Sequence, residues 1–249
     1  MKFALIAQPN RGDMLAIEYR LTYHMALAQY IHSDETYRNF YKLMRMQDHF
    51  IMLDNGAAEN GHSIGIENVV AAADMIGGVD EIIMPDVLDE KRATVAATGN
   101  ALQFVPINKR AVVPQGKNWE EWEQCAMDLV GMGCRTICVA KRYEALPGGR
   151  TYALEIIQKH RWHHIYDVHL LGCYRNPLRE IGDVRLMPWV RGIDTAAPIS
   201  YAQHNETLDH PKWHSLEWDR PFDYDTAMTN MDLILEECHA HNTPKPSIG

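Results

Sequence analysis

Short apolar runs recur along the chain, each closing on polar residues or glycine: "KFALIAQ" (2–8), "FIMLDNG" (50–56), "DEIIMPD" (80–86), "RAVVPQG" (110–116), "RTICVAK" (135–141), "DVHLLGC" (167–173) and "PWVRGIDT" (188–195). Their apolar residues are continuous rather than alternating, the pattern of strands covered on both faces. Helical spacing lies between them. "SIGIENVVAAADMIGG" (63–78) starts at a potential Ser63 cap and ends in glycines, and "KNWEEWEQCAMDLVGMG" (117–133) puts Trp119, Trp122, Ala126 and Leu129 on one face. Residues 149–160 and 223–241 read the same way. Strands alternating with helices predict a parallel sheet, and seven or eight such units in 249 residues predict an α/β chain closed into a (β/α)8 barrel. An open doubly wound sheet is the alternative. The barrel is expected to be a single domain over 1–249, with 204–223 a long loop and 242–249 a flexible tail.

Composition narrows the class without naming a reaction. With 46% hydrophobic and 23% charged residues the chain is of ordinary globular type. The N-terminal apolar run is too short for a signal peptide, and no run of 18 apolar residues occurs, so the expectation is a cytoplasmic protein without membrane contact. Five cysteines without CxxC spacing argue for reduced thiols rather than a disulfide framework or a zinc ribbon. A net charge of −9 is unfavourable to nucleic acid, yet basic residues gather at 108–110 and 141–150 and leave that partner open.

In a parallel barrel the strand C-termini form the reactive mouth. Those ends carry Asp54 with Asn55 and Gly56, Asp86, Gln115 with Gly116, Lys141 after Ala140, Gly172, and Asp194 with Thr195. Each acid taken alone could be a helix cap or turn residue. The repeated placement of three carboxylates and an amide points instead to one shared site. Paired carboxylates suit chemistry at an anomeric carbon, one attacking and the other moving the leaving group's proton. His169 and Tyr174 flank Gly172 and are candidates for the pocket wall. Lys141, Arg142 and Tyr143, with Arg150 in the "LPGGR" loop, combine basic and aromatic character suited to a phosphate backbone and a stacked base. "HRWHH" (160–164) lacks the HExxH pattern of a metalloprotease and reads as a helix end.

These motifs together resemble the tRNA-guanine transglycosylase superfamily, and more closely its DNA-directed branch from phages and genomic islands, which installs 7-deazaguanine bases. "DNGAAE" (54–59) resembles the family's Asp-Ser-Gly-Gly-Phe-Gln motif, with Asp54 in the place of the proton-shuttling aspartate. Asp86 in "IIMPDVLDE" matches the base-recognition aspartate, and "VPQGK" resembles Val-Gln-Gly-Gly, placing the base-binding amide on Gln115 beside Gly116. "ICVAK" resembles the strand that lends backbone groups to the base, which implicates Val139 and Ala140. "HLLGCYRNP" resembles the Leu-Met-Gly-Val-Gly turn, which implicates Leu171 and Gly172. Asp194 in "GIDTAAP" takes the nucleophile's place in the archaeal register; in the bacterial register that place falls on Ala197. The likeness spans roughly residues 50–200.

What the resemblance implies is replacement of guanine in DNA by a 7-deazaguanine such as preQ0, through a covalent aspartyl-glycosyl intermediate. The implied partners are DNA in preference to tRNA and the free 7-deazapurine, with an accessory protein or a homodimer also compatible. The same site could serve base exchange or hydrolysis on tRNA or nucleosides, or a base-binding subunit without catalysis. The family's Cys-x-Cys-x-x-Cys zinc motif is absent, and Cys238, His239 and His241 are too few to replace it, so no metal or other cofactor is expected.

Overall fold

The computed structural model describes residues 1–8, 11–57, 61–173, 176–210 and 212–240. Ala58 and Glu59 of the first motif, Tyr174, His241 and the 242–249 tail lie outside the described residues. Among the described residues, eight parallel strands form one sheet: β1 (Lys2–Leu5), β2 (Tyr23–Leu27), β3 (Phe50–Asp54), β4 (Glu81–Ile83), β5 (Arg110–Val112), β6 (Thr136–Ala140), β7 (Asp167–Leu171) and β8 (Val190–Thr195). Their order runs β1-β8-β7-β6-β5-β4-β3-β2, and β1 lies beside β2, so the sheet curls into a nearly closed (β/α)8 barrel. All seven apolar runs contain strands; the eighth strand, β2, went unread. "YHMAL" has two polar aromatic positions and passes directly into a helix, so neither composition nor a turn signal marks it.

The helices are α1 (Arg11–Glu18), α2 (Ala28–Ser33), α3 (Glu35–Met46), α4 (Ile66–Met75), α5 (Lys91–Ala101), α6 (Trp119–Gly131), α7 (Gly149–Lys159), α8 (Pro177–Val184), α9 (Ala197–Ala202) and α10 (Tyr224–His239). The α6 prediction holds closely: Trp122, Cys125, Ala126 and Leu129 are buried on one face, and Asn118 caps the helix by accepting from Glu121 N at 2.9 Å. Ser63 is not the cap of α4. Gly65 holds that position with φ 90°, and the Ser63 hydroxyl accepts from Gly65 N instead. His160 ends α7 and bonds Glu123 at 2.6 Å, the helix-end role read from "HRWHH".

Strand alternation splits the core in two. Ala4, Tyr23, Met25, Met52, Ile83, Ala111, Val113 and Cys138 fill the barrel interior, while Phe3, Ile51, Leu53, Ile82, Val112, Ile137 and Val139 face the helices. At the N-terminal end of the interior Arg191 donates from Nη1 and Nη2 to the two carboxylate oxygens of Glu81, at 2.6 and 2.8 Å, and packs over the Phe50 ring.

Buried His24 on β2 lies 3.0 Å from His49, and burial, then the neighbouring His49, pushes its pKa down to about 4. The unfolded chain takes up this proton near the ordinary histidine value of about 6.5, before the folded chain does. Stability present at neutral pH is therefore lost as pH falls from about 6.5 to about 4, by about 3 kcal/mol for this residue. His24→Phe is expected to flatten that part of the profile; equal urea-midpoint losses between pH 7 and 5 in both proteins would show that His24 does not set it.

Candidate functional site

At the strand C-termini the barrel opens into a cavity of about 620 Å³, a size suited to a small ligand. Asp54, Asn55, Asp86, Gln115, Ala140, Lys141, Arg142, Leu171, Gly172 and Asp194 all line it. Neither Asp86 after β4 nor Asp194 in β8 is a helix cap. Glu90 takes that position for α5 and Ala196 for α9, and Thr195 Oγ1 accepts from Ala197 N. Asp54 combines both readings: it lines the cavity and accepts from Gly56 N at 3.2 Å in a local turn.

On one side of the cavity sits a buried amide–acid cluster. Asp86, 5% exposed, accepts from Asn55 Nδ2 at 2.9 Å on one oxygen and from Gln115 Nε2 at 2.6 Å on the other. Gln115 Oε1 accepts from the Tyr143 hydroxyl at 2.9 Å and Asp89 N at 3.2 Å, fixing the amide's orientation. Burial pushes the Asp86 pKa above the ordinary carboxylate value, and the two amide donors oppose that rise. Asn55 also donates to Met84 O and accepts from Ala57 N, so it locks the end of β3 to the end of β4. The acid, amide and glycine in a row after β3 thus divide the work: one acid for the cavity, one amide for its scaffold, and a glycine at φ 75° for the turn.

On the other side Asp194, 7% exposed, is held at both oxygens, by His169 Nε2 at 2.9 Å and Gly172 N at 3.1 Å. Gly172 reaches this position at φ 66°, and a side chain there would meet Lys141 Cδ at 2.7 Å. Behind Asp194 runs a hydrogen-bonded column down the barrel axis. Arg191 Nε donates to the Tyr23 hydroxyl at 3.2 Å, and that hydroxyl lies 2.9 Å from His169 Nδ1. An arginine only donates, so the tyrosine proton goes to Nδ1 and the imidazole proton sits on Nε2, facing Asp194. Burial lowers the His169 pKa, against the pull of Asp194, and favours the neutral ring this chain of donors requires.

Four sequence-derived assignments change. Val139 faces the helices, and its carbonyl accepts from Arg150 Nη1 at 3.1 Å, so neither its side chain nor its oxygen is presented to the cavity. Gly116 lies outside the lining; its N–H donates to the Tyr143 hydroxyl, and a Cβ there would meet Trp122 N at 2.6 Å, so its smallness serves packing against α6. Tyr143, 1% exposed, is a buried support of Gln115 rather than a surface for a stacked base. Arg150 is fully buried, pairs with Glu180, and donates to the carbonyls of Val139, Leu171 and Gly172; it closes the ends of β6 and β7 and is withdrawn from any phosphate. Arg142 remains at the cavity but pairs with Asp89, and Lys141 stands exposed at its edge.

The sequence reading missed the remaining wall. Trp213, His214, Ser215, Leu216 and Trp218, from the segment after α9, line the cavity, and Trp218 stacks on Tyr30 with centroids 3.9 Å apart. Gln8 Nε2 donates to the carbonyls of Glu217, Trp218 and Arg220, and Gln203 Nε2 to those of Glu217 and Arg220. Two tryptophans in a polar stretch were the available signal. No helix among the described residues is long and apolar enough to cross a membrane. No family model matches the chain, and no curated protein matches it.

Proposed function

We propose that this cavity exchanges a purine-type base at a nucleic-acid C1′, with guanine leaving and a 7-deazaguanine entering. The observation that carries the reading is the convergence of two separately held acid centres on one cavity: Asp86 between Asn55 and Gln115, and Asp194 between His169 and Gly172. A buried acid framed by two amides suits the hydrogen-bonding edge of a flat heterocycle. A carboxylate fixed at both oxygens suits attack from a single direction.

In this reading the target nucleotide leaves its stack to reach the cavity. An Asp194 oxygen forms a bond to C1′ as the C1′–N9 bond breaks, and the electron pair leaves with guanine. Asp54 supplies the proton the departing base takes up and recovers one from the incoming base, whose nitrogen displaces Asp194 from C1′. His169 stays neutral and positions the nucleophile.

The test is exchange of labelled guanine into DNA, tRNA and free nucleosides in parallel. Label in DNA supports the proposal, and label in no substrate would overturn it. Nucleosides are included because of one specific observation: of four residues expected at a phosphate backbone, Tyr143 and Arg150 are buried and Arg142 is paired with Asp89. Label confined to nucleosides would establish the same chemistry on a smaller substrate.

Asp86→Ala is expected to weaken binding of free 7-deazaguanine about 10- to 100-fold, the range for hydrogen bonds to a charged group. Calorimetric titration of the base checks it. Unchanged affinity would remove Asp86 from recognition.

A further inference from the structure

The segment between α9 and α10 carries a constellation that the proposed base exchange does not use. Glu206, His210 and His214 recur at four-residue intervals, and one ligand atom from each lies within 4.8 Å of the others. Glu206 Oε2 is the hub, 2.5 Å from His214 Nε2 and 3.0 Å from His210 Nδ1. His210 Nδ1 also accepts from Lys212 N at 3.2 Å, which leaves that nitrogen without a proton. Its approach to a carboxylate oxygen is then acceptor against acceptor, an arrangement that a cation between them relieves.

We infer that Glu206, His210 and His214 bind one divalent first-row transition-metal ion, of which Zn²⁺ is the type, at the edge of the cavity. Two imidazoles and a carboxylate select this class over Mg²⁺ and Ca²⁺, which take oxygen ligands. Zinc–ligand bonds of about 2.0–2.2 Å in a tetrahedron set ligand atoms roughly 3.3 Å apart, so a small outward movement of the hub oxygen admits the ion. The ion takes the Nδ1 lone pair from the long turn bond to Lys212. Asn230 holds the backbone around the ligands, accepting from Leu208 N at 2.9 Å and donating to Glu206 O at 3.1 Å. His204 stacks face-on against His214 with centroids 3.8 Å apart, so it buttresses that ring rather than ligating with it. The fourth position is left to water, the three-ligand form of zinc site. Since His214 also lines the cavity, the ion would staple the cavity's missed wall. This site is independent of the base-exchange proposal.

The experiment uses untagged full-length protein stripped with chelator, then titrated with Zn²⁺ calorimetrically and assayed for bound zinc by mass spectrometry after dialysis. One equivalent per chain is expected, and it is lost in His210→Ala and in Glu206→Gln. It is retained in His239→Ala, which alters the separate Cys238–His239 region. His210 is exposed, so the metal-free melting temperature of His210→Ala should match that of the metal-free parent, which separates lost ligation from lost folding. A stripped parent that takes up no Zn²⁺, or an equivalent that survives both ligand substitutions, overturns the site.

Discussion

With Asp194→Ala, incorporation of labelled guanine is expected to fall at least about 10⁴-fold, the scale seen when a covalent nucleophile is removed. The same variant should trap no glycosyl adduct. It also strands two donors, His169 Nε2–H and Gly172 N–H, that now end on the carboxylate. Leaving them without an acceptor should cost about 1–3 kcal/mol of stability for each donor, read as a drop in the denaturation midpoint. Asp194→Asn retains an oxygen for one donor but turns an amide NH₂ toward the other, so it should be equally inactive. Exchange that survives either substitution would assign the attack to another group, and the proposed intermediate would fall with it.

The second large effect is on folding. Arg150→Ala removes the guanidinium that pairs with buried Glu180 and frees three carbonyls at the ends of β6 and β7. Breaking a buried ion pair from one side costs about 3–5 kcal/mol. In a chain of this size that corresponds to a fall in melting temperature of roughly 10 °C or more. Removing Glu180 as well should recover part of the loss, because both members of the buried pair then go together. An Arg150→Ala protein that melts with the parent would contradict the buried pairing.

The barrel was legible because strands buried on both faces leave unbroken apolar runs, and a polar residue closing such a run marks the mouth. Asp54, Asp86, Gln115 and Asp194 were found that way, and they do line one cavity. Adjacent strand residues point to opposite faces, so Val139 and Ala140 could not both face it, and the alternation sends Val139 to the helices. Arg150 and Tyr143 read as surface residues because charge and a hydroxyl ordinarily mean solvent. Their partners are 30 and 28 residues away, at Glu180 and Gln115, and no local pattern announces a pairing of that range. The wall from Trp213 to Trp218 was hidden for the same reason, since Gln8 anchors it from 210 residues away in the case of Trp218.

Asp194, His169, Tyr23, Arg191 and Glu81 join the mouth of the barrel to its far rim. In (β/α)8 barrels the mouth carries the chemistry and the opposite face the stability, a division that invites treating the two ends as separate modules. Here the acid, the imidazole and the tyrosine all stand on strands, β8, β7 and β2, so mouth loops moved to another barrel would leave behind the groups that decide which imidazole nitrogen carries hydrogen and where the carboxylate points. The unit that can be inherited or grafted intact is the whole staircase of donors, from the guanidinium at the floor to the acid at the top.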